Sequence, residues 1–145
     1  MRNQTIPKVD FYYLTGIHQP EIRSTVNLAE LQRDIQRGVK TLSEHSYCRY
    51  YGVTRTSLAF YLAIRNLLGA EMCDAKKAEM VYRKNSYTMR VTTFSGFTIV
   101  FQGLGSGFFG EGPRGTRDLL KAFGFSEKQM QKPFEVENFT VSKRK

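Results

Sequence analysis

Tryptophan is absent from this 145-residue chain, and cysteine and histidine occur only twice each. No apolar run approaches the roughly 20 residues that span a bilayer, so no membrane association is expected. Cys48 and Cys73 stand alone without CxxC spacing, and no apolar leader precedes them. Free thiols in a reducing, cytoplasmic setting are therefore expected, rather than a disulfide framework. His18 and His45 lie far apart, and no pair of candidate ligands has close metal-site spacing. Neither a metal nor another cofactor is expected.

Acids are also scarce. The chain carries 13 Asp+Glu against 22 Lys+Arg, a net charge of +9, which favours nucleic acid, a nucleotide, an acidic protein surface or anionic lipid as partner without choosing among them. Basic residues are spread along the chain except at Lys143-Arg144-Lys145. A hydrophobic fraction of 41% with 13% aromatics belongs to a folded chain. The length suits one domain over residues 1–145 with frayed, basic termini.

The richest stretch runs from Gly103 to Arg117 and is followed by the amphipathic Asp118-Leu119-Leu120-Lys121-Ala122-Phe123. Glycine at this density admits positive φ and close backbone approach. Pro113 suits the first turn of a helix, which would leave the N–H groups of Arg114, Gly115 and Thr116 pointing outward beside a positive dipole end. Arg114 and Arg117 supply guanidinium forks for phosphate oxygens. Phe108 or Phe109 offers a ring for stacking on a base, and Glu111 an acceptor for a ribose hydroxyl. Together these form a set for a phosphate-bearing ligand, a nucleotide or a nucleic-acid backbone. A tight strand-to-helix connection is the alternative, with both phenylalanines buried and the arginines paired to Glu111 and Asp118.

Patterns for chemistry fail in this stretch. It lacks G-x-x-x-x-G-K-[ST], the residues that spell G-x-G-x-x-G have no βαβ setting, and Ser106 lacks the frame of a G-x-S-x-G nucleophile elbow. No base is placed beside a nucleophile, so a non-catalytic binding protein is expected rather than an enzyme.

Local patterning gives an α+β domain: a helical hairpin packed on an antiparallel β-sheet, formed by a three-stranded meander plus N- and C-terminal strands. Val9-Asp10-Phe11-Tyr12-Tyr13-Leu14 reads as the N-terminal strand. Asn27 and Glu30 fit a helix start, with Leu28, Leu31, Ile35, Val39 and Leu42 at helical spacing. The meander is Glu79–Arg83, Tyr87–Phe94 and Phe97–Phe101, with Tyr87, Met89, Val91 and Thr93 on one face and Arg90 on the other. The segment from Ala70 to Lys77 reads as a charged connection or a helical extension. Gly69 and Gly124 are expected to cap helices, and Phe134 to Val141 alternates as a C-terminal strand would.

His45 to Leu62 has Cys48, Gly52, Val53, Leu58 and Tyr61 at the small, turn and apolar places of a helix-turn-helix. These roughly twenty residues resemble that motif, and the resemblance implies a second helix that reads the major groove. Its outward positions would be Thr54, Arg55, Thr56, Ala59, Phe60 and Ala63, three of them apolar, as in a buried helix hairpin. A helix-turn-helix or winged-helix-like DNA-binding regulator would use Arg49, Arg55 and Arg65 on the helices, and Arg83, Lys84 and Arg90 on the hairpin. A third reading is a basic protein that docks on an acidic macromolecular partner. Exposed strands and the aromatic load also invite edge pairing into a homo-oligomer.

Overall fold

The computed structural model describes residues 27–52 and 54–144. The expected strand at 9–14, the start of the chain and His18 lie outside the described residues. Helix α1 (Leu28–His45) begins as anticipated: the Asn27 side chain accepts the Glu30 N–H at 3.0 Å. It buries the stripe Leu31, Ile35, Gly38 and Leu42 and ends at Ser46.

Strand β1 (Tyr47–Tyr51) follows, then α2 (Thr54–Leu68). The first half of the expected helix-turn-helix is therefore a strand. Tyr-Cys-Arg-Tyr-Tyr is rich in strand-forming aromatics and alternates at period two, with Cys48 and Tyr50 buried while Arg49 and Tyr51 are exposed. The second half is helical but turned inward: Ala59, Phe60 and Ala63 are all buried, which removes the face that would read DNA.

The remaining strands are β2 (Ala75–Arg83), β3 (Ser86–Thr93), β4 (Thr98–Gln102) and β5 (Phe139–Ser142), in sheet order β1-β4-β3-β2-β5. The segment left open at Ala70–Lys77 thus ends in strand, with an irregularity in register between Ala75 and Lys77. β2-β3-β4 form the expected meander, and Lys84 and Asn85 make its first turn with φ of 50° and 61°. The sheet is nevertheless mixed, because β1 lies parallel to β4 while every other pairing is antiparallel. Parallel neighbours need a crossover connection, and here a helix plus the meander separates them in sequence. The C-terminal strand is shorter than its pattern, since Lys132–Glu135 forms a helical turn with Pro133 near its start.

Helices α1, α2 and α3 (Glu111–Phe123) cover one face of the sheet. Cys48, Tyr50, Met80, Met89, Val91, Ile99 and Phe101 all point into that layer and are buried. The Tyr50 ring stacks on Phe60 at 4.3 Å, and Phe101 meets Phe123 at 6.1 Å, so aromatic contacts tie the sheet to α2 and α3. The Tyr61 hydroxyl donates to the Cys73 carbonyl at 2.7 Å. Burial pushes the Cys48 thiol and the Tyr50 hydroxyl each up to about 12, and Cys73 up to about 11. At the far end, Gly124 in the left-handed region and Phe125 behind it close α3, as the sequence suggests. Lys143, from the basic tail, donates to Asp74 and to the Phe123 carbonyl, and so has a structural tie.

Candidate functional site

The parallel strands β1 and β4 end side by side, and each runs into a helix. Gly52 N–H donates to the Gln102 carbonyl, and Gly103 follows with φ of 95°. A Cβ at Gly103 would come within 2.0 Å of the Gly52 carbonyl oxygen, so only glycine fits. The glycine loop and the start of α2 therefore leave from the same end of the sheet. Tyr51, Tyr82, Arg83, Lys84 and Tyr87 also belong to this end, because the β2–β3 turn lies there.

The loop itself is anchored rather than open. Thr116 is fully buried; its hydroxyl donates to the Gly105 carbonyl at 2.7 Å and accepts the Gly105 N–H at 3.4 Å. The Ser106 hydroxyl donates to the Val136 carbonyl, and Gly107 N–H donates to the Pro133 carbonyl at 2.7 Å. Gly105 and Gly112 lie so close that a Cβ on either would sit 3.1 Å from the other's Cα. Much of the glycine density thus serves to press the loop against the first turn of α3.

That geometry corrects the expected amide cradle. The helix begins at Glu111, two residues before Pro113, and Arg114 N–H is already bonded to the Gly110 carbonyl at 3.1 Å. Gly115 and Thr116 are buried inside the helix, where they cannot face a ligand. What projects is a set of side chains. Phe109 is 84% exposed and stacks on Phe134, ring centroids 5.5 Å apart and planes 16° from parallel. Arg117 lies 5.7 Å from the same Phe134 ring and donates to Asp118 at 3.2 and 3.3 Å. Arg114 is exposed one turn earlier, and among the described residues no carboxylate is paired with it. Glu111 is exposed at the start of the helix.

Phe108 is half-covered. Its ring packs over Gly105, Gly110 and Gly112 and approaches Tyr87 at 6.3 Å, while Tyr87 meets Tyr82 at 4.4 Å. Phe108 therefore fixes the loop, and Phe109 is the ring presented to solvent. The structure brings Arg117 to the Phe109–Phe134 stack and leaves Arg114 exposed one turn earlier; Phe134 is a residue that sequence reasoning missed. Phe134 lies in a separate short helix, so nothing in the local pattern links it to the loop.

The six basic residues assigned to a DNA-reading surface separate. Arg65 donates to the Ala122 carbonyl at 3.0 Å and lies over the Tyr61 ring, which makes it a tie between α2 and α3. The Arg55 side chain lies outside the described residues. Lys84 sits in the hairpin turn, whereas Arg49, Arg83 and Arg90 share the sheet face turned away from the helices. A cleft of about 250 Å³ between α1 and the edge of β1 adjoins that face and is lined by Asp34, Arg37, Thr41, Arg49 and Tyr51. Burial raises the Asp34 carboxyl there, and the Arg37 guanidinium, 3.2 Å away, pulls it back.

Among the described residues no group of three or more His, Cys, Asp and Glu side chains could hold a metal ion. No described helix is long and apolar enough to cross a membrane. Compared with known proteins, the chain matches no family model, no curated protein and no solved structure.

Proposed function

We propose that the protein is a non-catalytic binding protein for a phosphate-bearing ligand with an aromatic base, a nucleotide, held at the glycine loop by side chains rather than by backbone amides. The observation that carries this reading is the exposed Phe109 ring, stacked on Phe134, with the Arg117 guanidinium 5.7 Å from the Phe134 ring and Arg114 exposed one turn earlier on α3. A ring already held flat against a second ring adds a base to the stack with little loss of rotamer freedom. Arg114 then supplies a bidentate fork for phosphate, and Arg117 adds charge while Phe134 and Asp118 hold its orientation. The net charge of +9 attracts such a ligand from a distance.

Calorimetry with nucleoside mono-, di- and triphosphates, run beside inorganic phosphate, tests the proposal. Arg114→Ala removes a charged hydrogen bond and is expected to weaken nucleotide binding by about tenfold or more. Phe109→Ala is expected to weaken nucleotide but not inorganic phosphate. If no nucleotide binds, or if both variants bind as the parent does, the reading is wrong.

A further inference from the structure

We propose that the open edge of β1 takes an added strand from a partner, an extended peptide carrying two consecutive acidic residues. This edge is separate from the Phe109–Arg114 site and rests on its own observations. β4 lies on one side of β1, and among the described residues no strand lies on the other. Thr98 N–H donates to the Ser46 carbonyl at 2.9 Å and Gly52 N–H to the Gln102 carbonyl at 3.4 Å, so the even-numbered backbone groups of β1 face β4. The alternation turns the N–H and C=O groups of Tyr47, Arg49 and Tyr51 away from β4, where none has a hydrogen-bond partner among the described residues. Against the same edge lies the cleft of about 250 Å³, walled by Asp34, Arg37, Gly38 and Thr41 of α1.

Backbone donors and acceptors in a row select a strand as occupant, because a strand's own amides meet them in register. The five residues of β1 make an edge of about 17 Å, the length of an equally short peptide segment. The side chains select its charge. Arg49 is exposed on one side of the edge with no carboxylate paired to it among the described residues, and Arg37 lines the cleft on the other side, 72% exposed. The one carboxylate that lines the cleft, Asp34, is already bonded to Arg37 at 3.2 Å. Successive side chains of a strand point to opposite faces, so two neighbouring acids reach Arg49 and Arg37 together. An apolar residue two positions on meets the Tyr51 ring, which is 78% exposed. A second copy of the chain fits less well. Its own Cys48 and Tyr50 are buried in its core and leave the cleft unfilled, and the fully overlapping antiparallel register sets Arg49 against Arg49.

The test is fluorescence anisotropy of the full chain with a short labelled peptide, two central glutamates flanked by alternating threonine and valine. Two controls accompany it, one with lysines for the glutamates and one with alternate backbone amides methylated. The glutamate peptide is expected to bind, the lysine peptide not to, and the methylated peptide to bind about tenfold or more weakly because it cannot form the edge hydrogen bonds. Arg49→Ala should weaken the glutamate peptide by up to about fivefold, as loss of an opposite-charge pair across strands does. Arg114→Ala should leave its affinity unchanged. Amide hydrogen exchange followed by NMR reads the edge directly. The amides of Tyr47, Arg49 and Tyr51 should exchange fast in the free chain and slow on binding, while those of Cys48 and Tyr50 stay slow throughout. The proposal is overturned if the glutamate peptide does not bind, if the lysine or methylated peptide binds as tightly, or if the added protection falls elsewhere. It is also overturned if the outward amides are already protected in the free chain, or if sedimentation shows a dimer that protects them, since the edge would then be filled. The nucleotide reading is decided separately by mononucleotide calorimetry.

Discussion

The hydroxyl of Thr116 donates to the Gly105 carbonyl at 2.7 Å, joining the second turn of α3 to the loop that precedes it. This bond carries the loop's shape. Thr116→Val keeps the volume and removes the hydroxyl, leaving both backbone groups of buried Gly105 without that partner. A loss of about 1–3 kcal/mol in urea unfolding is expected. A variant as stable as the parent would show that the loop is held elsewhere.

Gly103 is a second fixed point. Alanine there combines a φ of 95° with a Cβ placed 2.0 Å from the Gly52 carbonyl oxygen, so the ends of β1 and β4 must separate. Strain in this region alone costs about 1–3 kcal/mol, and the displaced backbone adds to it. Gly103→Ala should lower the urea midpoint by more than Gly96→Ala, because Gly96 shares the positive φ but has nothing within 4 Å of its Cβ position. Equal effects at the two sites would refute the close-approach argument.

Alkaline pH should destabilise the fold. The folded-state values of Cys48 and Tyr50 rise to about 12 from ordinary values of 9.0 and 10.0, and that of Cys73 to about 11. A group whose folded value is raised adds stability that is fully present below its unfolded value and is lost as pH climbs toward the folded one. Thermal melts under reducing conditions should therefore hold steady near neutrality and fall progressively above about pH 9. Flat melting temperatures across that window would contradict the burial of these groups.

The contrast between two neighbouring phenylalanines shows how far the sequence reaches. Phe108 and Phe109 are adjacent and chemically identical, and the glycines around them explain why a loop forms there. Which ring anchors and which is presented depends on Gly105, Gly112 and Tyr87 meeting the first and Phe134 the second. Gly105 and Gly112 are local, but Tyr87 and Phe134 lie far along the chain from the rings they meet, so no local pattern carries those two contacts.

The α+β class, the N-cap at Asn27, the meander with Arg90 on its presented face and the closing glycine at Gly124 were legible from residue types and period, because each depends on near neighbours. The period-two alternation of Tyr47 to Tyr51 was legible too, but the helix-turn-helix resemblance masked it. Tertiary structure decided the rest. It set β1 parallel to β4, buried the amides expected to cradle phosphate, and drew Arg49 and Arg90 onto one face. The glycine loop remains the place the sequence singles out, with Phe109 and Arg114 as its presented groups. The physical reason is that composition and spacing determine what a segment can form, while long-range packing determines which of its atoms are left facing solvent.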